Sequence, residues 1–97
     1  MGRITRFYQT TVSTSATQIV PYNKNRTALL IRNIAGSTVY VSTDQANIQS
    51  AGLQVGAAEY LSFARSDGDA PELQVYALTD SGTADLRIVE SVETEEK

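Results

Sequence analysis

The stretch YALTDSGTADLRIVE, residues 76 to 90, decides the class of fold. Ala84, Leu86 and Ile88 alternate with polar or charged neighbours, and Leu73, Val75 and Ala77 do the same just before, which is the period of a half-buried strand. Between the two runs, Thr79-Asp80-Ser81-Gly82 has turn chemistry, with Gly82 able to take the positive φ that tight turns require. The segment therefore predicts a hairpin that closes a β-domain. None of its side chains is an obvious reactive group.

The same vocabulary recurs upstream. TTVSTSATQIV, residues 10 to 20, is rich in β-branched Thr and Val and predicts one bent strand or two short ones. PYNKNR then reverses the chain through Pro21, Asn23 and Asn25. TALLIRNI follows, and the consecutive Leu29, Leu30 and Ile31 predict a central strand covered on both faces. Ala35-Gly36-Ser37 predicts a second hairpin into TVYVST, where Val39 and Val41 share a face opposite Tyr40. Residues 44–58 hold no sustained period and predict a long loop with a helical turn near Gln45–Gln49, after which EYLSFA places Leu61 and Phe63 on one face and SDGDAP breaks the strand.

About seven or eight short strands with frequent turn signals predict an all-β protein: a single antiparallel β-sandwich, jelly-roll-like, with an immunoglobulin-like sandwich as the alternative. At 97 residues the chain suits one core. The expected organisation is an N-terminal arm or edge strand over residues 1–9, a sandwich over 10–90 and an acidic tail over 91–97.

Composition argues against most chemistry. Neither Cys nor His is present, so disulfides, thiolate nucleophiles, the commonest zinc ligands and the usual neutral-pH base are missing from the sequence. Ser81 and Thr83 have no base to activate them, and a Ser-Lys pair would have to draw on Lys24 or Lys97. Asp67, Asp69 and Glu72 fall short of a calcium loop and read more simply as a turn. No catalytic residue, cofactor site or metal site is expected.

Net charge is −3, and the segment from Glu90 to Lys97 holds four Glu against one Lys, so it carries that whole charge and the body is neutral. A neutral body with Arg3 and Arg6 at one end lacks the clustered basic surface that nucleic acid requires. No apolar run has the length of a membrane span, and a soluble protein made in the cytoplasm is expected. Protein contacts are the remaining expectation. The candidates are Arg3, Ile4, Arg6, Phe7 and Tyr8 in the arm, Arg26 and Arg32 beside the apolar run, Asn47, Ile48 and Leu53 in the long loop, and Asp85 and Arg87 on one face of the last strand. A cluster of Tyr22, Tyr40, Tyr60 and Tyr76 would instead suit a carbohydrate- or receptor-binding module.

From about Thr11 to Val89 a series of phrases, TTVSTSATQIVP, NRTALLIRN, GSTVYVS, YLSF and YALTDSGTADLRIVE, resembles small β-rich accessory proteins of tailed-bacteriophage virions, the decoration or cement proteins among them. The resemblance implies a non-enzymatic protein that forms dimers or trimers and binds the major capsid protein at joints between subunits on the virion surface. It is equally compatible with a neck, tail or fibre position.

Overall fold

The computed structural model describes residues 2–94. Eight strands follow in order: β1 (Gly2–Val12), β2 (Thr17–Val20), β3 (Arg26–Gly36), β4 (Val39–Ser42), β5 (Leu53–Val55), β6 (Tyr60–Ala64), β7 (Val75–Thr79) and β8 (Ala84–Thr94). A helical turn, α1 (Ile48–Ala51), precedes β5, and a 3-10 turn (Arg65–Asp67) follows β6. The strands form two antiparallel sheets of four, β1-β8-β3-β6 and β2-β7-β4-β5.

This order has a simple origin. β1 pairs with β8, β2 with β7, β3 with β6 and β4 with β5, as if one long antiparallel ribbon had been folded and then rolled so that β8 meets β3 and β7 meets β4. That is the eight-stranded jelly roll, and the immunoglobulin-like alternative is set aside.

Period-2 alternation supplies the core. Val12, Leu29, Ile31, Ala84, Leu86 and Ile88 from one sheet meet Val20, Val39, Val41, Val55, Val75 and Ala77 from the other, with Ile19, Leu61 and Phe63 at the margin. The core is mostly Val and Ala, so the two sheets can lie close together.

Three sequence expectations need correction. YALTDSGTADLRIVE is two strands and a turn, but β7 and β8 lie in different sheets, so the turn is an arch across the sandwich and not a hairpin. Ala35-Gly36-Ser37 likewise carries the chain from β3 in one sheet to β4 in the other. The two arches abut: Ser37 N–H donates to the Thr83 carbonyl at 3.0 Å, and Gly36 sits at φ +106° with a virtual Cβ only 2.3 Å from that oxygen. Gly is required there by both conformation and space. Thirdly, β3 is central between β8 and β6 but covered on one face only, since Leu29 and Ile31 point into the core while Leu30 points out.

The boundaries also move. The N-terminal residues form an edge strand that continues through Val12, and β8 runs to Thr94, so residues 91–94 are strand where a tail was expected; residues 95–97 lie outside the described residues. TTVSTSATQIV resolves into the end of β1 and all of β2. The long loop contains α1 and the short β5.

Candidate interaction surface

The β1-β8-β3-β6 sheet has strands of 11, 11, 11 and 5 residues, against 4, 5, 4 and 3 in its partner, so its outer face is the broad surface of the molecule. Register lines its side chains into rows. Phe7, Val89, Leu30 and Ser62 form an apolar-centred row, flanked by Gln9, Arg87, Arg32 and Tyr60 on one side and Thr5, Ser91, Ala28 and Ala64 on the other. Phe7 is 75% exposed and Tyr60 64%, values far above those of packed aromatics.

Three shallow depressions lie along this face. One of about 410 Å³ lies between Arg3, Ser91, Glu93, Ala28 and Arg65. Another, about 300 Å³, surrounds Phe7, Gln9, Arg87 and Val89, and a third of about 210 Å³ lies over Leu30, Ser62 and Val89.

Arg32 and Arg87 are directly opposite each other on neighbouring strands, a placement that like charges disfavour. Asp85 offsets Arg87 in part, with its carboxylate 3.5 Å from the guanidinium; hydrogen bonds from Gln9 and Arg87 hold the Asp85 carboxyl below its ordinary range. No carboxylate among the described residues pairs with Arg32. The apolar row is therefore bordered by net positive charge and an exposed phenol.

Of the sequence candidates, Arg3, Phe7, Arg32, Asp85 and Arg87 gather on this outer face. Ile4, Arg6 and Tyr8 alternate onto the inner side of β1, where they remain partly exposed because the shorter sheet does not reach them. Asn47 and Leu53 are exposed but belong to the opposite sheet's side. Two candidates are not surface groups at all. Ile48 is buried because α1 lies against β4 and β7, with Leu78 also enclosed there.

Arg26 is only 1% exposed and is used internally. Its Nε donates to Glu90 Oε1 at 2.6 Å, and its remaining nitrogens donate to the carbonyls of Pro21 (2.8 Å), Pro71 (3.1 Å) and Leu73 (3.4 Å). The Tyr8 hydroxyl donates to the other Glu90 oxygen, and Arg6 stands 3.7 Å from it. Burial pushes the Glu90 carboxyl up, but the hydrogen bonds from Tyr8 and Arg26 and the charges of Arg26 and Arg6 outweigh it and hold the group below its ordinary value. This cluster ties the β2–β3 and β6–β7 connections to β1 and β8. It is scaffold, and the sequence reading missed it because its members lie far apart in the chain, Tyr8 and Glu90 by 82 residues and Arg6 further still.

Leu30 and Val89 are the other omissions, and for these a signal existed. Strict alternation through LLIR and RIVE already sets Leu30 and Val89 on the face opposite the core residues. In the acidic turn, Asp69 Oδ2 accepts from the Ala64 N–H at 3.0 Å, while the Asp67 side chain lies outside the described residues. The tyrosines do not form a platform, since Tyr60 lies on the broad face whereas Tyr40 and Tyr76 belong to strands of the other sheet.

No family model matches the chain, and no curated protein matches it. Among solved structures it is similar to a chain from Bacillus, described as endospore appendages that form a novel family of disulfide-linked pili. The TM-score is 0.58, with 12% identity over 97% of this chain and 88% of that one. At that identity the likeness establishes a shared fold: this protein is a small all-β sandwich.

Proposed function

We propose that the protein is a non-enzymatic structural module that docks by the outer face of its broad sheet onto neighbouring subunits of a large assembly. The observation that carries this reading is the row Phe7-Val89-Leu30 bordered by Arg87, Arg32 and Tyr60: an apolar centre with a basic, aromatic rim, on a rigid sheet. An acidic partner surface would remove the Arg32–Arg87 repulsion on binding. The assembly that the sequence phrases favour is a phage virion, with the major capsid protein as the partner and a decorating or cementing role. Many identical weak contacts would add up to firm attachment there.

A second reading, a subunit of an extracellular appendage, is favoured by the fold likeness to the Bacillus chain. The sequence has no Cys, so such a filament would be held by contacts other than disulfides.

Both readings are tested by sedimenting the purified protein with virus particles assembled without it. Stoichiometric co-sedimentation that is abolished by Arg32→Glu with Arg87→Glu is expected. Failure of the intact protein to bind particles, together with spontaneous growth into filaments, would replace the virion with the appendage.

A further inference from the structure

We infer that β1 is a self-recognition edge and that two copies pair antiparallel through it about a two-fold axis at Phe7. β1 ends its sheet: β8 is its strand partner among the described residues, none of which pairs with its other edge, and the 11-residue strand has no bulge or Pro, its two charges being Arg3 and Arg6. Such an edge is normally blunted, because it templates pairing with another chain. Here the side chains beside it are the exposed Ile4, Phe7 and Tyr8.

Register selects the partner. A second copy related by a two-fold axis normal to the sheet must set outward residues against outward ones, so the axis has to pass through a residue of β1. Phe7 is the midpoint of Gly2–Val12, and an axis there pairs the strand along its entire length. Phe7 then faces Phe7 of the second copy, joining the apolar rows into one stripe from Leu30 through Val89 and Phe7 to the same residues of the other copy. Arg3 falls opposite Thr11, whose neighbour on β8 is Asp85, so opposite charges come within reach across the seam. Arg6 falls opposite Tyr8, a cation beside a phenol ring. Moving the axis to Arg6 sets Arg6 against Arg6, and moving it to Tyr8 or Thr5 shortens the overlap. Pairing β1 with β6 of another copy would use a 5-residue strand and would propagate without closing.

The pairing concerns the edge, whereas the docking surface concerns the face, so either can fail alone. Since the chain has no Cys, Phe7→Cys introduces a single thiol. Across the axis its Cβ atoms should lie about 5 Å apart, and oxidation should give a covalent dimer of twice the 10.5 kDa chain mass. Thr5→Cys lies opposite Gln9 instead, leaving its two copies about 14 Å apart and unable to bridge, yet it should crosslink when mixed with Gln9→Cys. Phe7→Lys places two cations on the axis. It should raise the dimer dissociation constant at least about tenfold while leaving the melting temperature of the 75%-exposed site's protomer nearly unchanged. Light scattering that finds the intact protein monomeric at about 100 μM, self-crosslinking of Thr5→Cys without that of Phe7→Cys, or open-ended polymers would each overturn the inference.

Discussion

Replacing Arg26 by Ala strips Glu90 of its closest cation and leaves the carbonyls of Pro21, Pro71 and Leu73 without their donor. Glu90 is 2% exposed, so without Arg26 its carboxylate is left buried and short of its guanidinium donor. Breaking a buried pair from one side typically costs about 3–5 kcal/mol, a large part of the roughly 5–15 kcal/mol that holds a domain of this size. At about 5 °C per kcal/mol the melting temperature should fall by roughly 15–25 °C. Urea unfolding followed by far-UV circular dichroism measures the effect directly. The decisive comparison is Arg26→Met with Glu90→Leu, which removes both charges and fills the space. It should recover most of the loss and stay within about 2 kcal/mol of the parent. If Arg26→Ala costs under about 1 kcal/mol, or the double variant is no better than the single, the cluster is not the clamp described above.

Acid should weaken the fold through the same carboxylate. Because the folded state holds Glu90 below its ordinary value near 4.5, its contribution is complete above that pH and is lost as pH falls through the lower folded-state value. Urea midpoints taken from neutral pH downward should therefore drop less steeply in Glu90→Gln than in the parent. Gly36→Ala should cost more than about 3 kcal/mol or prevent folding, since its Cβ would lie 2.3 Å from the Thr83 oxygen and 2.8 Å from Ala84 Cα. Gly68→Ala, also at positive φ but with open space around it, should cost only about 1 kcal/mol by the same unfolding assay. Asn33→Ala removes the donor to the carbonyls of Ser37 (2.8 Å) and Val55 (3.0 Å) and should destabilise by roughly 2–3 kcal/mol in thermal melts. Leu30→Lys on the outer face should change stability by under about 1 kcal/mol yet abolish co-sedimentation with particles.

Strand content was legible because alternation is local: Leu86 and Ile88, or Val39 and Val41, announce their face within a few residues. What joins the strands was not. A Gly-containing turn such as Thr79–Gly82 looks the same whether the next strand returns beside the last or crosses to the other sheet, and here it crosses. The buried role of Arg26 was hidden for a related reason, since nothing near it in sequence provides a counter-charge and its partner lies 64 residues away. On the surface, the apolar row that Phe7 joins required the register of β8 and β3, which no local pattern in the N-terminal segment contains. Ile48 shows the opposite failure. An irregular segment reads as surface, although a single helical turn is enough to bury one side chain against a sheet.

The pairing of Gly2–Val12 with Ala84–Thr94 also governs how the protein is made. On a ribosome the first strand emerges long before its partner, and at about 5–20 residues per second it waits roughly 4–16 s for β8. β3 waits for the same strand, because β8 lies between it and β1. Such distant pairing slows folding, since loop closure must precede the contacts that reward it. A nascent chain of this kind holds the β8-facing edge of β1 unpaired until β8 has been made. The β1-β8-β3-β6 sheet is thus complete only when β8 arrives, and a chain stopped ahead of Ala84 would expose both β1 and β3 as open templates.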